Sequence, residues 1–366
     1  MKHFFALFFS LVMGSFVGIA QKAQFTLADF YTENADLDKE VDSIFHSLSE
    51  KQKVAQMIIS CTGELGKSEA TVKKLAQDDI IGGVVFLKGS KKEHTTTIDE
   101  LNTISEKNKT LPLIFSMDAE PSLFASRIMG AKKVGKTIEI KTDTQSDSVV
   151  AIINNELKAI GVHHNFAPVL DISPNNEAIK SRSYGSNKDS VINLANRFIK
   201  CTQEGGIIAT AKHFPGHGLV KGDTHKQSVY IDGPLQEIDN YKPIIADGVL
   251  SIMIAHITVV NNDLFGTDGL PSSCSRRIVT DLLKDGMCFE GIIVSDALNI
   301  MKAVTILDNA PLQASKAGCD MILMPQDERK TMNSILAEIK KDATYQQQVM
   351  ESVRKILRLK ICAGII

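Results

Sequence analysis

The sequence predicts an α/β fold, a (β/α)8 TIM-type barrel, and two observations carry that prediction. Eight short apolar runs, rich in valine, isoleucine and methionine, recur over residues 57–324, most of them separated by helix-like stretches. Titratable residues gather at the ends of those runs: Asp118, Asp171, Lys212 with His213, His256, and Asp296. Runs so short and so apolar suit strands buried on both faces, the condition of a parallel sheet wrapped by helices. In a parallel barrel all strand ends open on one face, so Asp118 and Asp296 converge there despite their separation in sequence.

The elements run in order along the chain. Residues 1–20 read as a secretory signal: Lys2 and His3 precede an apolar stretch that ends in the small residues Gly18, Ile19 and Ala20. No cysteine lies near that exit, so no lipid attachment is expected, and no stable membrane span is expected after cleavage. The mature protein is therefore expected to be periplasmic or secreted. Residues 21–44 form a polar lead-in and residues 45–366 the barrel domain, entered by a helix around residues 48–54. The strand runs are 57–60, 83–87, 113–117, 165–170, 207–211, 252–255, 292–295 and 321–324. Helix-like stretches include 190–202 and 276–284. A closing amphipathic helix over 346–359 carries Lys355, Arg358 and the following Lys360, read as a solvated face.

Composition narrows the function. The formal net charge is −2 with no basic block, which excludes nucleic acid as a natural partner. The chain has no tryptophan, so a broad aromatic stacking platform for a ligand is not expected and any ligand is held by polar groups in a pocket. The cysteines are Cys61, Cys201, Cys274, Cys288, Cys319 and Cys362, and their spacing forms neither a disulfide framework nor a zinc site. Buried free thiols acting as small hydrophobes are the expected reading.

The densest chemical signal is Lys212-His213-Phe214-Pro215-Gly216-His217-Gly218, followed after four residues by Asp223-Thr224-His225. The apolar run before it is a buried strand, and Pro215, Gly216, Gly218 and Gly222 then prescribe a loop. Enzymes place acids and bases on such loops at strand ends. A second segment, Gly291-Ile292-Ile293-Val294-Ser295-Asp296, ends an apolar strand in a carboxylate. Ser295 or Asp296 could also serve simply as a helix N-cap.

These stretches resemble glycoside hydrolase family 3, and in particular its bacterial, typically single-domain β-N-acetylglucosaminidase branch. Further pieces match in family order: Asp118-Ala119-Glu120, residues 165–171, Arg182-Ser183-Tyr184-Gly185, Ile254-Ala255-His256, Val294-Ser295-Asp296 and residues 317–321. The resemblance covers residues 45–330. It implies the same barrel, a carbohydrate substrate of the cell-wall or chitin-like kind, no cofactor and no metal. It also implies that Asp296 is the nucleophile, His225 the acid/base and Asp223 its partner, with Asp118, Arg182, Lys212 and His213 gripping the sugar. One departure concerns the arginine that many relatives place eight residues past the aspartate. Position 126 is a serine, the glycine pair of relatives is Pro121-Ser122, and Arg127 stands one residue late.

Chemistry supports the implied roles independently. Glycoside cleavage needs an anion beneath the anomeric carbon and an acid at the leaving oxygen. A carboxylate such as Asp296 forms a glycosyl ester that water can attack. An imidazole such as His225 titrates near neutrality without a large shift, and Asp223 can orient it. Asp171 is placed in support of the sugar-binding end, and His217 and His256 as structural groups. A metal hydrolase built on His213, His217, His225 and Asp223 is the first rival. The His213–His217 spacing suits a helical metal site, but Pro215 and Gly216 break a helix there. A non-catalytic sugar- or peptidoglycan-binding barrel, a β-glucosidase and a phosphorylase of the same family are the others.

Overall fold

The computed structural model describes residues 25–172, 176–222 and 229–366; the expected signal segment, residues 1–20, lies outside them. Eight parallel strands form one sheet: β1 Ile58–Thr62, β2 Gly83–Phe86, β3 Ile114–Met117, β4 His164–Asn165, β5 Ile208–Phe214, β6 Ser251–Ile254, β7 Ile292–Ser295 and β8 Ile322–Leu323. Neighbours from β1 through β7 pair in parallel, and β8 pairs with β1 through Ile58↔Ile322 and Ile59↔Leu323. The gap between β7 and β8 is bridged at Val294↔Met321, with Ser295 N donating to Met321 O at 3.0 Å. The sheet therefore closes into the expected (β/α)8 barrel.

All eight expected runs contribute a strand, with two changes of extent. The run at 165–170 pairs regularly only over His164–Asn165, and beyond it Val169 bridges Lys212. Pro168 has no N–H to give a ladder. Conversely, β5 extends past Ala211 to Phe214, so Lys212 and His213 belong to the strand itself and not to the loop. The Ala167–Pro168, Lys212–His213 and Phe214–Pro215 peptide bonds are cis.

Helices return the chain between strands, as at Glu69–Gln77, Lys91–Asn108, Asp143–Ile160 and Lys188–Glu204. Their N-termini are set by side chains. Ser90 with Glu93 makes a capping box, and Thr142 and Asn187 cap the two later helices. The Asp143–Ile160 helix stops at Gly161, whose φ of +85° suits a residue without Cβ. Leu37, Val41 and Phe45 of the helix Ala35–Ser47 are buried in the main core with Val353 and Leu357 of the closing helix. The six cysteines are free thiols; Cys61, Cys274, Cys319 and Cys362 are buried. Among the described residues no helix is long and apolar enough to cross a membrane.

The closing helix, Ala343–Cys362, corrects the expectation of a solvated face. Lys360 is fully buried and donates to Gln56 Oε1 at 2.6 Å, Pro112 O at 2.8 Å and Gly82 O at 3.1 Å. Gly82 and Pro112 precede β2 and β3, so the ammonium satisfies carbonyls where strands enter the barrel. Lys355 pairs with buried Asp320 at 2.6 Å, and Arg358 donates to Phe30 O at 2.7 Å and to Asp38 at 2.5 Å. The basic residues of this helix bind the barrel floor and the N-terminal segment instead of facing water.

Candidate active site

At the opposite end, where the strands leave the barrel, charged groups from β3, β4 and β5 interlock. Asp118 and Glu120 come directly after β3. Asn165 of β4 fixes the residue between them, accepting from Ala119 N at 3.0 Å, so both acids are held in place. Glu120 is fully buried and takes two parallel bonds from Arg182, Nε to Oε2 at 2.8 Å and Nη2 to Oε1 at 2.7 Å. Lys212 Nζ reaches Glu120 Oε1 at 2.5 Å and Asp118 Oδ1 at 2.7 Å. Burial alone would raise the Glu120 carboxyl; Arg182 and Lys212 outweigh it and drive it well below its usual value. The same acid drives the Arg182 guanidinium upward against burial.

Lys212 and His213 are consecutive in a strand, where side chains normally alternate between faces. Yet both enter this network, because the β5–β6 register shifts between Lys212 and Phe214. His213 Nδ1 lies 2.7 Å from Asp171 Oδ2, and Arg182 Nη2 lies 3.4 Å from His213 Nε2. The guanidinium can only donate, so Nε2 accepts and the proton sits on Nδ1. Burial, with the Arg182 and Lys212 cations, pushes the imidazole down to about 3, so it is neutral at physiological pH.

Asp296 stands immediately after β7, its amide donating to Ile254 O of β6 at 3.0 Å and its Oδ1 accepting from Ala297 N at 2.7 Å. Burial pulls its carboxyl up, but His213, His256, the Ala297 amide and Lys212 leave it below its ordinary 3.8. His256 backs this segment: Ala297 O is 3.1 Å from Nε2 and Ser273 Oγ 2.6 Å from Nδ1. A carbonyl only accepts, so His256 carries its proton on Nε2 and receives one from Ser273.

Arg127, at the end of the short helix Phe124–Arg127, places Nη2 3.6 Å from Asp118 Oδ2. The displaced arginine thus reaches Asp118, whereas Ser126 is exposed and donates to Leu123 O. Arg127 Nε is buried and without a hydrogen-bond partner among the described residues. Ser122, in place of the usual glycine, donates to Ser181 O at 2.6 Å and so ties this loop to the segment carrying Arg182. Asp118 is 22% exposed against 1% for Glu120 and Lys212, which makes it the acid that faces the opening.

Asp118, Arg127, Arg182, Lys212, His213 and Asp296 thus meet at one mouth, and Asp171 supports His213. Asp223 and His225 lie outside the described residues. Sequence reasoning assigns Glu120 no role, although it sits inside a matching motif, and Glu237 carries no sequence signal at all. Glu237 is buried and accepts from Ile172 N at 2.8 Å, Gly218 N at 2.9 Å and Leu219 N at 3.2 Å. Among the described residues no group of three or more His, Cys, Asp or Glu is arranged to hold a metal ion.

Residues 49–359 match the glycosyl hydrolase family 3 N-terminal domain. The chain belongs to glycosyl hydrolase family 3. It is 26% identical over 303 residues to a β-N-acetylglucosaminidase/β-glucosidase of Cellulomonas fimi, covering 78% of this chain and 53% of that protein. The chain spans about half the length of the curated relatives it matches. A solved family 3 β-N-acetylglucosaminidase from Paenibacillus sp. superposes with a TM-score of 0.78 at 26% identity, over 87% of this chain and 63% of that one. A β-N-acetylhexosaminidase from Beutenbergia cavernae shares the fold end to end: TM-score 0.77, 22% identity, 85% of this chain and 98% of that chain.

Proposed function

We propose that this family 3 member is a retaining glycosidase that removes non-reducing terminal β-linked N-acetylglucosamine, or N-acetylhexosamine more broadly. Peptidoglycan fragments are the natural substrate class and chitin-like oligosaccharides the second. The observation that carries the reading is the convergence of an ionised strand-end carboxylate, Asp296, with the Asp118–Lys212–Glu120–Arg182–His213 network at one end of the barrel.

In this mechanism Asp118 accepts from sugar hydroxyls while Lys212, Arg127 and Arg182 donate to them. Charge-assisted bonds of this kind are directional and strong. Glu120 holds Lys212 and Arg182 in register and keeps their charges from having to be solvated when the site closes on a sugar. Asp296 attacks the anomeric carbon as the glycosidic bond breaks. His225, oriented by Asp223, gives its proton to the leaving oxygen and then takes one from the water that releases the sugar. Neutral His213 is a positioned hydrogen-bonding group, not the acid. Residues 1–20 support export, which puts the enzyme in the periplasm or outside the cell, where cell-wall fragments are met.

The test is a panel of aryl β-glycosides assayed with and without phosphate and with a chelator. Hydrolysis of the N-acetylglucosaminide above the glucoside, unchanged by phosphate and chelator, is the expected result. Preference for the glucoside, or release of a sugar phosphate, overturns it.

A further inference from the structure

Arg127 ends the four-residue helix Phe124–Arg127, and that turn is held from outside itself. One position along a helix swings a side chain by about 100°, so where an arginine standing one residue late points depends on how its turn is held. The holding comes from the segment that leaves β2. Gly89 and Ser90 pair in parallel with Ile128 and Met129, the two residues that follow Arg127. Ser90 then opens the helix Lys91–Asn108: its Oγ accepts from Glu93 N at 3.2 Å, and Glu93 Oε2 accepts from Ser90 N at 2.7 Å.

The next residue, His94, is buried, and its Nε2 lies 2.9 Å from Arg127 O. A carbonyl only accepts, so Nε2 carries the proton and donates. The bond satisfies a carbonyl at the end of a helix, a group with no partner inside the helix. The imidazole is itself placed by β2 and the residues after it. Phe86, the last residue of β2, meets it edge-on with ring centroids 5.3 Å apart. A Cβ on Gly89 would lie 2.6 Å from His94 Cε1, so the ring passes where a glycine leaves room. From the turn so held, Arg127 Nη2 stands 3.6 Å from Asp118 Oδ2.

We propose that His94 is a positioning residue for Arg127: by donating to Arg127 O it fixes the turn from which the guanidinium meets Asp118 and the sugar. This rests on the reading of Arg127 as a sugar contact. His94 acts through the Arg127 backbone and not on the sugar. Asp296 is held by separate contacts, to Ile254 O and Ala297 N, so loss of the His94 bond weakens sugar binding and spares the bond-breaking step. Such a loss raises KM and leaves kcat in place.

The experiment measures kcat and KM of the full chain on 4-nitrophenyl β-N-acetylglucosaminide for His94→Phe, His94→Gln, Arg127→Ala and the double variant His94→Phe with Arg127→Ala. Thermal melts confirm folding. His94→Phe keeps a ring but removes the donor, and should raise KM about 3–10-fold while kcat changes less than about twofold. His94→Gln returns an N–H at the same number of bonds from Cβ and should recover most of that loss. Added to Arg127→Ala, His94→Phe should raise KM no further, because the two act as a unit. An unchanged KM in His94→Phe, no recovery in His94→Gln, or a further rise on top of Arg127→Ala overturns the proposal. If Arg127→Ala itself leaves KM unchanged, it is the sugar contact that fails. Should His94→Phe fail to fold, Gly89→Ala, which crowds the same imidazole, carries the test on the same readout.

Discussion

Arg182 grips Glu120 through two parallel hydrogen bonds, 2.8 Å and 2.7 Å, inside a barrel mouth where Glu120 is fully buried. The same carboxylate takes Lys212, which it shares with Asp118, so one acid spaces two cations. Glu120→Ala should therefore be a stability mutant: it strips Arg182 of its carboxylate and leaves buried Lys212 with Asp118 alone, at a cost of about 3–5 kcal/mol. Asp118→Asn, at the open rim, should cost less than about 1 kcal/mol and act instead on KM. Urea titrations beside steady-state kinetics check this, and the reverse ranking of the two variants in stability counts against it.

Arg127→Ala should raise KM about tenfold, the equivalent of removing one charge-assisted hydrogen bond to the sugar. Ser126→Ala should leave KM unchanged, because Ser126 is turned toward Leu123 O. A KM that responds to position 126 and ignores position 127 would show that the displaced arginine does not serve the sugar.

What is legible in the sequence depends on burial. The strands are legible because Ile58–Thr62, Ile292–Ser295 and their like are short, largely apolar runs buried on both faces, and the mouth is legible because strand ends carry Asp118 and Asp296. Lys212 and His213 are harder to place, since polar residues closing a barrel strand look like a loop until the β5 register shift is seen. Glu120, Glu237 and Lys360 escape the sequence for one reason. Charged residues usually face water, and only the folded topology supplies Arg182, the Gly218–Leu219 amides or the Gly82 and Pro112 carbonyls.

Lys360 gives a pH prediction. Burial pushes its ammonium from 10.5 down to about 7. Between those values the unfolded chain binds more protons than the native one, so this residue's contribution to stability rises with pH across that window. The stability difference between wild type and Lys360→Met, from urea unfolding, should shift in favour of wild type between pH 7 and about 10. A shift in the opposite direction as pH rises contradicts the assignment.

His225→Ala should cost about 10²–10⁴ in kcat/KM on substrates with poor leaving groups and far less on activated aryl glycosides. Uniform losses would remove the imidazole from the acid role and leave Asp223 without a partner to orient.

As the proposed nucleophile, Asp296 is predicted to bond covalently to the sugar. The direct measurement is mass spectrometry of the protein after incubation with a fluorinated N-acetylglucosaminyl donor that glycosylates fast and hydrolyses slowly. The predicted result is one added sugar per chain on the peptide containing Asp296, absent from an Asp296→Ala protein that remains folded. A label on any other residue, or turnover that persists in Asp296→Ala, would contradict it.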